Sequence, residues 1–441
     1  MLARRSIQSL IDGASYLNPE QIDRFVQHLN RNNRDSIDAE WELIILTALA
    51  SFGTVQHEPD LGGTARLDVR FQSPLVTFVA DVRAVSDETY DRENPVDHLR
   101  QELARYAAQL SGEGFQGGFN FNVGGQYGNA RKRPYKTKLV LPQPHEFRQY
   151  IFNAGFHAFL NAIRSDPLQA RHHVANNDRA SVSMVWIPGP GGMRSVTHPA
   201  YKVAHDTEHN VIYKALRDKS DQIKRVGDRD PDELAGIILC DGGCDLLRMV
   251  SGVGTVSLDQ IVKAFLRRTR TVTFVFVVDT HYRSWGPGSR KLAFEARFWA
   301  KQRTKALETL RDKVSEALQG LPVPVRSGLN TMNHYEWATG SDKRLYSDYK
   351  GDVSMSSHSV EISLRATIEY LAGRIDRTEY EHAVPTDWLA QLRRSLDLGK
   401  RVSSVSITKH PDRDDDGLVV TFGEPDPAMS PFRAPTRKDS T

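Results

Sequence analysis

SIDAEWELIILTALASFGTVQHEPDLGGTARLDVRFQSPLVTFVADVRAV, residues 36–85, carries one helical pattern followed by three strand patterns. Ile37, Trp41, Ile44, Ile45, Ala48, Leu49 and Phe52 give a wide apolar helical face that Gly53 brings to an end. Thr54 to His57 is a short strand, and the run from Glu58 to Gly63 is turn chemistry. Arg66 to Phe71 alternates as a strand, and Gln72-Ser73-Pro74 turns it. Val76 to Val85 is apolar at nearly every position, as expected of a strand covered on both faces. Asp81 and Arg83 interrupt that run.

Working outward, Asn94-Pro95 opens a helix whose buried stripe is Leu99, Leu103, Tyr106, Ala107 and Leu110. Gly117 to Val123 follows as a strand. The order is helix, three strands, helix, strand. A hairpin of this length can set Asp68 beside Asp81, and a cation stands two residues after the second acid. Hydrolysis of a phosphodiester needs an activated water and neutralised charge on the scissile phosphate, and Mg²⁺ held by carboxylates supplies both. Glu42 or Glu40, on the preceding helix, can add a further ligand.

These residues resemble the PD-(D/E)XK nuclease superfamily, the restriction-endonuclease-like fold. The resemblance spans about residues 36 to 123 and implies an α/β core of order αβββαβ. It implies that Asp68 and Asp81 hold Mg²⁺ or Mn²⁺, that Glu42 assists, and that Arg83 stands where the family usually has lysine. Leu67 stands where the family has proline. Arginine keeps the positive charge but does not deprotonate near neutral pH, so Arg83 orients water or phosphate and is no base. A working lysine can then come from Lys136 or Lys138. The implied activity is a metal-dependent endonuclease acting on nucleic acid, double-stranded DNA ahead of RNA. A restriction or anti-phage effector is the matching setting, and a homodimer or a partner subunit is compatible with it. The alternative is a catalytically degenerate relative that serves as a binding scaffold.

With 441 residues the chain is long enough for two or three domains. A net charge of +3 is too small for bulk attraction to nucleic acid, so a binding surface must come from clustered cations. Arg131, Lys132, Arg133, Lys136 and Lys138, beside the glycine-rich turn from Gly124, are the candidates for backbone contact. From Lys263 to Lys305, arginines and lysines mix with Tyr282, Trp285, Phe298 and Trp299, which suits either nucleic acid or a solvated face over core aromatics. His205 and His209 have zinc-compatible spacing without a third ligand, so a surface or capping role is expected. Cys240 and Cys244 lack a second pair and read as free thiols. Two cysteines, no apolar run long enough for a membrane span and no signal peptide pattern point to the cytoplasm.

The expected organisation is an N-terminal helical segment (1–35), a nuclease-like core (36–145), an α/β extension of its sheet (146–290), a helical and mixed C-terminal region (291–423) and a disordered tail (424–441). The extension rests on alternating patterns: strands Ser181 to Ile187, Gly236 to Cys240 and Val272 to Val278, with helices over 208–225 and Leu258 to Leu266. Beyond them come a long helix from Leu292 to Leu318, a helix from Val360 to Tyr380, a second from Trp388 to Leu396, and a hairpin of Val402 to Ile407 with Leu418 to Phe422.

Overall fold

A computed structural model of the chain describes residues 1–31, 34–87, 93–112, 116–126, 138–189, 194–195, 204, 206–227, 230, 233–248, 255–286, 289–328, 331, 358–377, 380–381, 384, 386–410, 413–426 and 428. Two helices, α1 (Arg4–Asp12) and α2 (Pro19–Leu29), lead into α3 (Arg34–Ala50). Asn18 and Gln21 form a reciprocal capping box that starts α2. Three strands follow, β1 (Thr54–His57), β2 (Val69–Gln72) and β3 (Thr77–Val85), paired antiparallel in sequence order.

The next segment builds a separate unit. It runs α4 (Val96–Gly112), β4 (Gly117–Val123), β5 (Gly125–Gln126), β6 (Lys138–Leu139), α5 (Phe147–Tyr150), α6 (Ala154–Ser165), β7 (Arg171–Asn176), β8 (Ser181–Pro188) and β9 (Arg194–Ser195). Its main sheet has the order β7-β8-β4-β9, and its own core holds Phe119, Phe121, Phe156 and Trp186.

The chain then returns through α7 (Val211–Lys224) to β10 (Leu234–Asp241), and continues with α8 (Asp245–Arg248), α9 (Leu258–Arg268), β11 (Phe274–Gly286), β12 (Ser289–Ala300) and α10 (Lys305–Gln319). The central sheet has the order β1-β2-β3-β10-β11-β12. Strands β3, β10 and β11 are parallel and β12 closes the edge antiparallel. The fold is therefore α/β with a mixed sheet. One sheet face packs on α3 and α10 through Trp41, Phe71, Phe78, Phe274 and Phe276. The other packs on α7 and α9 through Val79, Leu216, Ile223, Ile237 and Phe265. Cover on both faces is why β3 and β10 are apolar almost throughout. A last unit holds β13 (Ser359–Ser363), α11 (Leu364–Leu371), α12 (Thr386–Asp397), β14 (Lys400–Thr408) and β15 (Gly417–Pro425), with strand order β13-β15-β14.

Four sequence expectations need correction. Gly117 to Val123, expected as the last strand of the αβββαβ core, pairs instead with β8 and β9, and the parallel neighbour of β3 is β10, in register from Leu234↔Phe78 to Asp241↔Val85. The reason is composition. The Asn120 and Asn122 side chains of β4 need a wetter face, whereas Ile237, Ile238 and Leu239 of β10 suit burial on both. Ser181 to Ile187 likewise pairs in the second sheet. Leu292 to Leu318 is two elements, because residues 292–300 alternate between sheet faces as β12, and a helix begins only at Lys305, capped by Thr304. Val360 to Tyr380 opens as β13, and its helix starts after the Ser363 cap. The Val402 to Ile407 hairpin is present as β14 and β15, although β15 runs to Pro425, into the expected tail. Residues 429–441 lie outside the described residues.

Candidate functional site

Asp81 sits in the middle of β3, opposite Ile237 of β10, and points toward the α7 face. Its side chain has no solvent exposure. Asp68 lies one residue before β2, where β2 and β3 separate. There its Oδ2 accepts a hydrogen bond from the Val82 N–H at 2.7 Å, filling the place of a lost ladder bond. Asp68 therefore stands next to the residue that follows Asp81, at the point where two strands part. The Asp68 carboxyl is near enough to push the Asp81 carboxyl up.

A third group completes the constellation. Lys219 reaches down from α7 and its Nζ donates to Asp81 Oδ1 at 2.5 Å. It is mostly buried and also touches Gln222 Oε1 at 3.3 Å. Burial pushes the Asp81 carboxyl up most strongly, the neighbouring Asp68 pushes it further, and Lys219 pulls it back, leaving it at about 9. The ammonium distance favours an ionised carboxylate, but desolvation and a second acid outweigh one cation. Asp81 Oδ2 is buried and has no hydrogen-bond partner among the described residues.

Lys219 carries one signal legible in sequence. On α7 the buried stripe is Ile212, Leu216, Ser220 and Ile223, and Lys219 stands three residues after Leu216 and four before Ile223. A lysine at an inward position of an amphipathic helix needs an acid beneath it.

Arg83, two residues beyond Asp81 on the same face, is 41% exposed and lies 4.0 Å from Asp38. It lines a cleft of about 480 Å³ together with Ser86, Lys214, Asp218, Lys219, Gln222 and Arg225. Four cations face one carboxylate there, and Lys219 links this cleft to the buried acids.

The helix glutamates separate. Glu40 is buried and its Oε1 is held by the Met1 ammonium at 2.6 Å and by the Leu2 N–H at 2.7 Å, away from the acids. Glu42 bonds His57 Nε2 at 2.7 Å. Its pKa is raised to about 7 by burial first, with Asp68 adding repulsion against the pull of His57. Glu42 is thus close enough to Asp68 to feel its charge, but it lines a different pocket, of about 250 Å³, with Arg24, His28 and Glu58.

Arg131, Lys132, Arg133 and Lys136 lie outside the described residues, as does the side chain of Lys138. In the basic and aromatic stretch, several groups are committed to the fold. Phe298 packs on Phe276, Trp299 Nε1 donates to Asp259, Arg297 pairs with Asp279, and Arg268 pairs with Glu208. His209 is exposed and bonds Asp206, the surface role expected of it, and His205 lies outside the described residues. Cys240 and Cys244 are free and buried, and burial pushes both thiols up. Among the described residues no helix is long and apolar enough to cross a membrane. Comparison with family models, with curated proteins and with solved structures finds no match for this chain.

Proposed function

We propose that this chain is a metal-dependent phosphodiesterase that cleaves nucleic acid, double-stranded DNA ahead of RNA. The observation that carries the reading is the buried Asp81, with Asp68 bonded to the next residue's N–H, joined by Lys219 to a cleft lined with cations. The order of elements supports it. In the central sheet α3, β1, β2 and β3 are completed by α7 and β10, which is the αβββαβ order of a restriction-endonuclease-like core, with the second sheet inserted between β3 and α7.

Asp68 and Asp81 would hold Mg²⁺ or Mn²⁺. The fit rests on two neighbouring acids, one of them with a buried oxygen that has no hydrogen-bond partner among the described residues. A bound divalent ion supplies charge neutralisation at the phosphate and a more acidic water. The chain's own side chains do the rest. Lys219, which lines the cleft, donates to the buried Asp81 carboxyl and holds it in place. Arg83 is fixed by β3 on the same face and offers guanidinium donors to a phosphate in the cleft. Lys214 and Arg225 extend the positive lining along α7 for the flanking backbone. The arginine at 83 then needs no basic role, because the lysine of the site comes from α7.

One observation favours a second reading, a scaffold that binds nucleic acid without cutting it: Asp81 is fully buried and its Oδ1 is taken by an ammonium. Supercoiled plasmid and structured RNA, each incubated with the purified protein and Mg²⁺ or Mn²⁺, separate the two. The nuclease reading expects nicked or linear product, reduced about 100-fold or more in Asp68→Asn, Asp81→Asn and Lys219→Ala proteins of unchanged circular dichroism. Retarded but uncut nucleic acid under every metal condition supports the scaffold.

A further inference from the structure

A second group of ligating side chains lies at the other end of the same sheet face. Asp279 and Glu295 are directly paired across β11 and β12, and His281 follows Asp279 by two residues, so all three project from one face. Their ligand atoms lie within 4.8 Å of one another. Asp279 has no solvent exposure, whereas His281 and Glu295 are 38% and 41% exposed, so the group opens outward.

The contact geometry is informative. His281 Nε2 stands 2.8 Å from Asp279 Oδ1, so imidazole and carboxylate already lie at ligand spacing. The other oxygen, Oδ2, is fixed by Arg297 at 2.5 Å, and the same guanidinium nitrogen donates to the Leu247 carbonyl at 2.7 Å. Arg297 thus orients the carboxylate from behind, the arrangement that outer groups provide for metal ligands.

We infer that Asp279, His281 and Glu295 form a binding site for a transition-metal divalent ion of the zinc class, distinct from the Asp68–Asp81 pair. One imidazole and two carboxylates suit Zn²⁺ or Mn²⁺, whereas Mg²⁺ prefers oxygen and water alone. Three protein ligands with outward-facing space leave a fourth position for water or a substrate oxygen.

Titration of the metal-stripped full-length protein with Co²⁺, followed by its visible absorption, and with Zn²⁺ by calorimetry tests the site. One equivalent with a histidine-type cobalt spectrum is expected at this site, separate from any ion held by Asp68 and Asp81. Binding weakens at least tenfold in His281→Ala and in Glu295→Gln, the second of which removes an exposed ligand and spares the buried Asp279. Asp81→Asn and His209→Ala leave this equivalent in place. Absence of binding in the wild type overturns the inference. So does an equivalent of that spectrum that survives His281→Ala, or one that disappears with Asp81→Asn or His209→Ala.

Discussion

At the scale of residues, Asp81 sets the pH behaviour of the site. Its carboxyl is held up at about 9, while in an unfolded chain an aspartate titrates near 4. Between those values the folded state binds the extra proton, so Asp81 favours folding at low pH and loses that contribution as pH rises toward 9. Asp81→Asn removes the dependence. Without divalent metal, the variant's thermal midpoint is expected to exceed that of the wild type at pH 8 and to change less between pH 6 and 9. Parallel profiles count against a protonated Asp81. A divalent ion needs the carboxylate, so Mn²⁺ affinity at this pair should tighten from pH 6 to 9 as Asp81 ionises. Asp68 and Asp81 were legible because a hairpin confines their meeting to a short stretch of sequence. Lys219 was not, since it joins Asp81 across 138 residues and only its inward place on α7 hints at an acid below.

At the scale of elements, β10 is the strand that sequence order hides. Nothing local in residues 234–241 says that they lie beside β3 rather than beside β4. The signal is chemical: a strand apolar on both faces seeks the middle of a covered sheet, and the asparagines of β4 do not. The fit of β10 is tight, because a Cβ at Gly236 would stand 2.2 Å from the Phe274 ring. Gly236→Ala is expected to cost about 1–3 kcal/mol in chemical denaturation, and a neutral result would show that β10 and β11 can separate. The docking of α3 has its own test. Trp41 Nε1 donates to the Asp241 carbonyl at 2.8 Å, so Trp41→Phe should lose about 1 kcal/mol with little change of shape. The strand β12 was misread because Leu292, Phe294 and Phe298 also satisfy a helical stripe joined to the true helix at Lys305. Only the cross-strand register with β11 reveals the two-residue period.

At the scale of the molecule, a net charge of +3 hides a strong local field. Arg83, Lys214, Lys219 and Arg225 line one cleft, so affinity for nucleic acid should fall steeply with salt. Lys214→Ala together with Arg225→Ala is expected to weaken binding alike for unrelated sequences and to lower the salt slope by about 2. An unchanged slope would place the nucleic acid elsewhere on the surface. Composition could exclude attraction by bulk charge, but it could not gather these four groups, because two stand on α7, one at its C-cap and one on β3, brought together only by the fold.

The central claim concerns where a divalent ion sits, and anomalous diffraction from crystals soaked in Mn²⁺ near pH 8 measures that directly. The account predicts an anomalous peak between the carboxyls of Asp68 and Asp81, absent from Asp81→Asn crystals, with any second peak confined to Asp279, His281 and Glu295. A fully soaked crystal with no peak at Asp68 and Asp81, and with Lys219 still seated on the carboxylate, would contradict it.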